Sequence, residues 1–309
     1  MTTAVIGSRA SRLALWQANW VRDRLAEAGV DARIEVIRTS GDQILDRPLA
    51  GLGGKGVFVK EIEEALFEGS IDLAVHSLKD LPTAQPRGLR IACVPRREDP
   101  RDMLVAPGRP TLGELPPGAV LGTGSPRRAC QIRAVRPDLA IRDLRGNVDT
   151  RIARMKRGDY DGVVLALAGL RRLGADVEGT VLDYDLMIPA VGQGALAIET
   201  RDDAAELARP LHALHDQASA AAVAAERAFL RGLGGGCQAP IAAIGEVRGE
   251  RLVLRGLVGD AATGAVLRER AEGATSDAEG IGARLAQALL LRGAGDLVRR
   301  SAAPPPGEA

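Results

Sequence analysis

Segments with the pattern of β-strands alternate with helical segments along the first ninety residues, and this alternation constrains the fold more than any other feature of the chain. The strand-like runs are 4–7, 32–39, 73–76 and 89–94, and the helical segments between them are 13–28 and 58–67. The strand-like runs are short, and they are either apolar throughout or alternate between apolar and polar residues. The helical segments instead repeat apolar residues about every 3.6 positions. Strands that alternate with helices in this way favour βαβ units and a mostly parallel sheet.

The chain is too long for one hydrophobic core, and its pattern changes twice. A single core stops growing near about 250–300 residues, and this chain has 309. A charged, proline-bearing stretch at 95–102 has the composition of a hinge, and a second alternating block follows it. From about Ser219, an alanine-rich helix leads into three alternating stretches and a last helix. We therefore predict an α/β fold of two lobes with a small α+β third domain, and a ligand held in a cleft between the lobes. The predicted boundaries are 1–96 plus about 195–216 for the first lobe, 97–194 for the second and 217–309 for the third domain.

The charge balance and the residue usage exclude several classes of protein. Basic and acidic side chains nearly cancel, at 41 and 40, and aromatic residues make up 2% of the chain, which opposes a nucleic-acid surface or a base-stacking platform. Three widely spaced cysteines are no disulfide framework. No run approaches the roughly 20 apolar residues of a membrane span, and the N-terminus lacks the apolar core of a signal peptide. These features predict a cytoplasmic protein without membrane or nucleic-acid partners.

Arginine dominates the basic side chains and concentrates in one segment. All but four of the 41 basic residues are arginine, the side chain that binds carboxylates bidentately. Residues 125–157 carry ten basic and three acidic side chains, and two predicted helices begin in this segment, after Ser125 and at Asn147. Helix N-termini present free N–H groups to anions, and guanidinium groups beside them form a receptor for carboxylates or phosphates. Spacing alone does not decide whether the bound anion is a carboxylate or a phosphate. It also allows the alternative that these side chains only form a solvated helix face.

Two further features carry chemistry, and each has an ordinary structural alternative. Residues 76–80, His-Ser-Leu-Lys-Asp, close a predicted strand, where α/β sheets place binding groups, although many such segments are only polar strand ends. Cys237 lies in a glycine-rich loop that leaves its thiol reachable, whereas Cys93 and Cys130 lie in apolar patterns typical of a core. No spacing of histidine, cysteine and carboxylate residues completes a metal-ligand set, so we predict no metal site.

Seven segments, taken in order, identify a family. They are Gly7-Ser-Arg-Ala-Ser-Arg-Leu-Ala-Leu-Trp-Gln, Gly53-Gly-Lys-Gly-Val-Phe-Val-Lys-Glu, Ala74-Val-His-Ser-Leu-Lys-Asp-Leu-Pro, Gly122-Thr-Gly-Ser-Pro-Arg-Arg, Leu144-Arg-Gly-Asn-Val-Asp-Thr-Arg, Pro189-Ala-Val-Gly-Gln-Gly-Ala and Gly235-Gly-Cys-Gln-Ala-Pro-Ile. Together they closely resemble porphobilinogen deaminase (hydroxymethylbilane synthase), over the chain from Ile6 to about Leu291. The departures, Gly124 and Pro126, fall at positions that vary in the family.

The resemblance implies two lobes built like periplasmic binding proteins and a third domain that bears the cysteine. It implies a transferase of porphyrin and heme biosynthesis with a dipyrromethane cofactor bound through a thioether to Cys237. On that cofactor, four porphobilinogen molecules are deaminated and joined head to tail, and water then releases hydroxymethylbilane. We further expect a monomer that passes this product to the next enzyme of tetrapyrrole synthesis.

The resemblance also implies the site residues. Asp80 suits a catalytic role, because a carboxylate beside the pyrrole nitrogens stabilises the cations that form there. The glycine-rich loop at 41–57 is expected to screen a reactive intermediate from water. The residues carried over as cofactor-binding are Cys237, Lys79, Ser125, Arg127, Arg128 and Arg145, and those carried over as substrate-binding are Arg9, Ser11, Arg151, Arg171, Gln17, Lys55, Phe58 and Gln193.

Two other classes of protein compete with this interpretation. A cytoplasmic two-lobe protein that binds an anionic solute without catalysis would share the lobes and the arginines. It would need neither Asp80 nor Cys237, and such proteins normally carry an export signal. A nucleic-acid-binding protein would use residues 125–157, but the net charge and the scarcity of aromatic residues oppose it.

Overall fold

The computed structural model describes residues 3–40, 59–234 and 239–302. The strands in these ranges are β1 (Ala4–Ser8), β2 (Ala32–Val36), β3 (Leu73–Ser77), β4 (Leu89–Cys93), β5 (Asp102–Val105), β6 (Val120–Gly122), β7 (Ala140–Arg142), β8 (Gly162–Ala166), β9 (Gly179–Leu182), β10 (Leu196–Arg201), β11 (Ile241–Arg248), β12 (Arg251–Gly259) and β13 (Val266–Ala274). The α-helices in the same ranges are α1 (Arg12–Glu27), α2 (Lys60–Phe67), α3 (Pro126–Val135), α4 (Val148–Lys156), α5 (Leu167–Arg172), α6 (Ala208–Leu214), α7 (Gln217–Gly232), α8 (Ala278–Leu291) and α9 (Ala294–Ala302). The loop predicted at 41–57 lies outside the described residues.

The chain divides into two compact units. The first comprises 1–98 and 194–220, and the second comprises 99–193 and 221–309. The first unit holds a five-stranded sheet in the order β2-β1-β3-β10-β4. Its core combines the buried face of α1, which carries Ala18, Val21 and Leu25, with apolar side chains of β1, β3 and β10. The helical spacing in the sequence predicts Val21 and Leu25 on this face, whereas Trp16, which it also assigns there, is exposed.

The second unit repeats the same arrangement in its first sheet. That sheet has five strands in the order β7-β6-β8-β5-β9. β6 pairs in parallel with β7 and β8, whereas β5 pairs antiparallel with β8 and β9. In the sheet of the first unit, β10 likewise pairs antiparallel with β3 and β4. Each sheet therefore has four strands in one direction and one opposed strand, and the predicted mostly parallel α/β class is confirmed.

The opposed strand has the same place in the chain in both units. β5 and β10 are the strands that follow two of the three points, 98/99 and 193/194, at which the chain passes from one unit to the other. Neither is reached from its neighbour in the sheet by the helical crossover that keeps successive strands parallel. The direction of these two strands therefore follows from how the chain enters each unit.

A third sheet completes the second unit. It is an antiparallel meander in the order β11-β12-β13. One face packs against α7 and α8 around Phe229, Leu254 and Leu285, and the other packs against Cys130 and Ile188. This is the small α+β part that the sequence predicts after Ser219. Among the described residues, no helix combines the length and the apolar character needed to cross a membrane.

Candidate active site

In the first unit, predicted site residues gather at the carboxyl ends of β1 and β3. These strands are parallel neighbours, so the segments that follow them meet at one edge of the sheet. Arg9 is half-buried directly after β1. Ser11 is the N-cap of α1, and its hydroxyl accepts a hydrogen bond from the Ala14 backbone at 3.2 Å. The structure thus gives Ser11 a helix-capping contact beside its predicted role.

Gln17 joins α1 to the end of β3. Its side chain is buried, and Nε2 donates to Oγ of Ser77 at 2.8 Å. The sequence predicts Gln17 as a substrate contact, whereas the structure places its amide against the strand end. Because this bond fixes the strand end, it also fixes the start of the segment that carries Lys79 and Asp80.

Lys79 and Asp80 lie on a 3₁₀ turn, Leu78–Asp80, that follows β3 without a break. The turn is anchored by buried Leu78, whose backbone N–H donates to the carbonyl of Ala195 at 3.0 Å. Lys79 is half-buried and Asp80 is exposed. The turn therefore presents a cation and a carboxylate side by side on a fixed base.

In the second unit, the matching edge is formed by the carboxyl ends of β6 and β7. A Cβ built on Gly124 would lie 2.8 Å from Oδ1 of Asp143 and 3.0 Å from the Leu144 carbonyl, so the loops after the two strands are in contact. Ser125 is the N-cap of α3, and its side chain makes no capping hydrogen bond. Because Pro126 has no N–H, the backbone N–H groups of Arg127 and Arg128 and the Ser125 hydroxyl are the donors that the start of α3 offers to an anion.

Arg127 and Arg128, in the first turn of α3, are buried against Asp102 at the start of β5. Nη1 of Arg127 donates to Oδ2 of Asp102 at 2.7 Å, and Nη2 of Arg128 donates to Oδ1 at 2.8 Å. The amide nitrogen of Gln193 donates to the same Oδ1 at 2.9 Å and to the Pro100 carbonyl at 2.7 Å. The structure therefore brings three predicted site residues together around a carboxylate that the sequence interpretation missed.

Asp102 is ionised in this cluster. Burial by itself raises the pKa of its carboxyl, but the charges of Arg127 and Arg128 and their hydrogen bonds outweigh burial and hold that pKa well below its ordinary value. Removing one partner of such a buried ion pair destabilises a protein by about 3–5 kcal/mol. The only sequence signal for Asp102 is an aspartate at the end of the charged hinge-like stretch.

The other predicted arginines of this unit lie nearer the surface. Arg145 is 45% exposed, and its Nε donates to Oδ2 of Asp143, itself 56% exposed, at 2.7 Å. Arg151, on the first turn of α4, donates from Nε to the Gly146 carbonyl at 2.7 Å. Arg171 is 51% exposed on α5, with Nη2 3.7 Å from Oδ2 of Asp99. Both members of the Arg145–Asp143 pair are solvent-exposed, and such pairs exchange at little cost, at about 0–1 kcal/mol. An incoming anion can therefore replace Asp143 on Arg145.

Helix α4 begins as the sequence predicts. Asn147 is its N-cap, and the side-chain oxygen accepts from the Thr150 backbone at 2.9 Å. Gly146, directly before it, has φ +104°, a conformation that L-residues rarely adopt. The cap and the glycine together place Arg145 and Arg151 on either side of the helix start.

The cysteines divide into two buried thiols and one that lies outside the described residues, Cys237. Burial raises the pKa of Cys93 to about 12. Burial also raises the pKa of Cys130 to about 11, against a smaller opposing effect of Arg127. Because the thiolate is the nucleophile, both are poor sites for covalent attachment. The prediction that Cys93 and Cys130 are core residues is confirmed. Lys55 and Phe58 also lie outside the described residues.

Sequence and structure comparisons point to one family. Residues 4–209 match the family model "Porphobilinogen deaminase, dipyromethane cofactor binding domain", and residues 220–291 match "Porphobilinogen deaminase, C-terminal domain". The chain is 52% identical to the porphobilinogen deaminase of Roseiflexus sp. over 94% of this chain and 97% of that protein. It is 51% identical to the enzyme of that name from Syntrophotalea carbinolica, over 94% of this chain and 93% of that protein. The chain belongs to the porphobilinogen deaminase family.

Among solved structures, the chain is similar to the methionine-binding protein MetQ. The TM-score is 0.42 at 14% identity, over 69% of this chain and 89% of that one. Among the residues that the structure describes, no group of three or more histidine, cysteine or carboxylate side chains is arranged to hold a metal ion.

The donor set of the second unit fits the cofactor that the porphobilinogen deaminase family model names. A dipyrromethane built from porphobilinogen carries acetate and propionate groups, so its site must supply hydrogen-bond donors and positive charge. Ser125, which does not cap its own helix, and the guanidinium groups of Arg127, Arg128 and Arg145 supply both. The second unit thus groups anion donors at one edge of its first sheet.

Proposed function

We propose that this protein is a deaminating transferase that condenses four porphobilinogen molecules head to tail and releases hydroxymethylbilane by hydrolysis. The observation that carries the proposal is the match of both porphobilinogen deaminase family models in order along the chain, with about half of the residues identical to named enzymes. The positions of the site residues at the strand ends of each unit support it.

The cofactor, when bound, supplies a covalently held primer to which new pyrrole units are added. We propose that it is attached to Cys237 and that its carboxylates are bound by Lys79, Ser125, Arg127, Arg128 and Arg145. Charge-assisted hydrogen bonds of this kind contribute about 1.5–3 kcal/mol each. Several of them would hold the primer firmly while product is released.

Asp80 is proposed as the catalytic carboxylate. Its exposed position on a turn anchored by Leu78 leaves the oxygens available to a substrate, while the backbone beneath them is held. A carboxylate fixed in advance stabilises positive charge on pyrrole nitrogens without reorganising as that charge develops.

Substrate carboxylates are proposed to be bound by the more exposed arginines and their polar neighbours. Arg151 and Arg171 serve this role in the second unit, with Arg9, Ser11 and Gln17 in the first. Gln193 is proposed for the same role, and its amide is held by the hydrogen bond to Asp102. Lys55 and Phe58 are proposed because they match positions of the family motifs. Because Arg171 faces its aspartate at 3.7 Å, a substrate carboxylate can take that place as the chain grows.

The proposal also covers the oligomeric state and the cellular location of the enzyme. We propose a monomer of the cytoplasm that hands its linear product to the next enzyme of tetrapyrrole synthesis. Size-exclusion chromatography of the active fraction tests the monomer, because activity that elutes at twice the chain mass would contradict it.

The decisive experiment is an anaerobic assay of the purified chain with porphobilinogen. The expected result is one linear tetrapyrrole and four ammonia molecules for every four porphobilinogen molecules consumed. A protein that binds porphobilinogen in equilibrium dialysis without consuming it would instead be the noncatalytic solute-binding protein. That outcome would overturn the proposed function.

A further inference from the structure

The buried cluster around Asp102 contains more positive than negative charge. Arg127 and Arg128 are each only 5% exposed and Asp102 is 0% exposed, so two guanidinium groups share one carboxylate. Oδ2 accepts from Arg127, while Oδ1 accepts from Nε of Arg128 at 3.2 Å and from Nη2 at 2.8 Å. Arginine keeps its proton in proteins, and the two arginines hold Asp102 ionised. The cluster therefore keeps one positive charge beyond what its carboxylate balances.

The carboxylate occupies only part of each guanidinium. Nη1 of Arg127 also donates to the Ile188 carbonyl at 2.9 Å. Within the described residues, Nε and Nη2 of Arg127 and Nη1 of Arg128 form no hydrogen bond, yet none of the three is among the buried polar atoms left without a partner. These N–H groups therefore reach the surface of the unit. Asp102 binds the inner part of each guanidinium and leaves the outer donors to a ligand.

This cluster differs from the ordinary ion pair that Arg145 and Asp143 form in the same unit. Arg145 and Asp143 are both about half exposed, so that pair opens easily in water. Asp102 has no such freedom, because it also accepts from Gln193 and lies at the first position of β5, paired with β8 and β9. Two adjacent arginines with no carboxylate between them would repel each other and turn outward. Their direction is therefore set by Asp102.

We propose that Asp102 is a positioning residue for cofactor binding, which holds Arg127 and Arg128 in the one orientation that presents their outer N–H groups to a carboxylate. The inference rests on the proposed function, since it assigns the ligand of these arginines to the cofactor. Asp102 itself touches neither cofactor nor substrate. It acts through the two guanidinium groups.

The test measures the fraction of chains that carry a two-pyrrole adduct, by intact mass, after apoprotein purified from cells that make no porphobilinogen is incubated with excess porphobilinogen at 20 °C. Asp102→Asn keeps the size of the side chain and removes its charge. We expect at least a tenfold lower adduct fraction at a fixed early time, in protein that circular dichroism shows to be folded at that temperature. A residue that only stabilises the fold would lower the melting temperature and leave loading of the folded protein unchanged.

Asp138→Asn is the matched control. Asp138 makes a bidentate pair with Arg136, just after the C-terminal end of α3, at 2.8 and 2.6 Å. The substitution likewise removes the charge of an aspartate paired with an arginine, but from a more exposed pair away from the helix start. We expect loading within twofold of that of the unaltered protein.

Asp102→Glu keeps the test decisive if Asp102→Asn does not fold. It retains the charge but moves the carboxylate by one methylene, so we expect a folded protein that loads at least threefold more slowly. Loading within twofold of the unaltered protein, in whichever of the two variants folds, would overturn the proposal. The same conclusion follows if neither variant folds while Asp138→Asn does, because Asp102 would then serve the fold alone. Failure of the unaltered protein to load would instead contradict the proposed function.

Discussion

Nε2 of His76 lies 3.1 Å from Oε2 of Glu199, and both side chains are buried in the sheet of the first unit. His76 is opposite Ala197 in the β3–β10 register and Glu199 is opposite Ala74, so the two side chains share one face of the sheet. Buried polar groups of this kind hold a strand pair in one register, because any slip leaves them unpaired. His76 is directly before Ser77 and the turn that carries Asp80. The pair therefore holds the strand that presents the proposed catalytic carboxylate.

Glu63 on α2 gives a pH-dependent prediction from the same region. Burial, and then the charge of Glu199, raise the pKa of Glu63 above its ordinary value of 4.5, against a smaller effect of His76. Between the ordinary and the raised pKa the folded protein binds more protons than the unfolded chain, so its free energy of unfolding falls as pH rises through that window. Ionisation of Glu63 therefore destabilises the fold relative to the form with a protonated Glu63. Glu63→Gln should raise the melting temperature at pH 7 by no more than about 2 °C, since the side chain is only half-buried.

The pH dependence separates this effect from an unrelated gain in packing. Below about pH 4 both states carry a protonated carboxyl, so Glu63→Gln and the unaltered protein should melt together. Glu64→Gln, one position along the same helix, is the control, because Glu64 is exposed and lies 3.7 Å from Lys60. An equal gain at pH 4 and pH 7, or a gain of the same size from Glu64→Gln, would show that Glu63 ionisation is not the cause.

Asp80→Asn should abolish most turnover while leaving the fold and the cofactor in place. Asp80 is exposed, so the substitution strands no buried group. Removing one electrostatic contact of this type lowers a rate by about 10²–10³. The measurement is kcat with porphobilinogen, on protein whose two-pyrrole adduct is verified by intact mass. Asp23→Asn, an exposed carboxylate paired with Arg22 on α1, should keep normal kcat. Near-normal turnover in fully loaded Asp80→Asn would remove Asp80 from the catalytic role.

Arg145, directly before α4, and Arg154, on the last turn of that helix, allow a matched comparison. Each is roughly half exposed and donates from Nε to an aspartate, Arg145 to Asp143 at 2.7 Å and Arg154 to Asp159 at 3.2 Å. Only Arg145 lies at the strand edge with Ser125. Loss of one charge-assisted hydrogen bond, about 1.5–3 kcal/mol, predicts a roughly 10- to 100-fold lower rate of cofactor loading for Arg145→Leu. Arg154→Leu should load within about twofold of normal. If both variants lost the same fraction of the loading rate, the positive charge of residues 125–157 would matter in total and the position of Arg145 would not.

The sequence predicts the regular elements better than the irregular ones. The elements predicted in the first ninety residues differ from the observed ones by one to three residues at their ends, and α3 and α4 begin after Ser125 and at Asn147 as predicted, because apolar periodicity and caps such as Asn147 are local signals. β5 is missed, since its four residues follow a charged, proline-bearing stretch and begin with the buried Asp102. β9 and α5 are also missed, at four and six residues. Segments this short carry too few residues to show a period, so tertiary pairing alone defines them.

The sequence predicts which residues belong to the candidate site, but it does not predict which residues they contact. Family motifs mark Arg127, Arg128 and Gln193, yet nothing local shows that all three meet Asp102. That meeting depends on sheet pairing between residues far apart in the chain. Gln17 likewise meets Ser77 across 60 positions. Sequence patterns therefore identify chemistry-bearing residues, whereas their partners follow from the topology.

Cys237 is the predicted point of cofactor attachment, and the three cysteines allow a matched test. A primer that remains after each product leaves must be held by a bond that hydrolysis does not break, and a thioether meets that requirement. The purified protein should weigh more than its chain by two linked pyrrole units and should give colour with an acidic aldehyde reagent for pyrroles. Cys237→Ser should lose or greatly impair the mass increment, the colour and turnover together, because a serine hydroxyl is a far weaker nucleophile than a thiol at neutral pH.

Cys93→Ala and Cys130→Ala are the controls for that substitution. Both thiols are buried, with pKa values raised to about 12 and about 11, so neither presents a thiolate at neutral pH. Each alanine variant leaves a small cavity and should lower the melting temperature slightly, while keeping the adduct and the turnover per folded chain. Peptide mapping should place the increment on the tryptic peptide that contains Cys237. An active enzyme whose Cys237 is unmodified, or an increment that moves with Cys93 or Cys130, would contradict attachment at Cys237 and with it the proposed position of the primer.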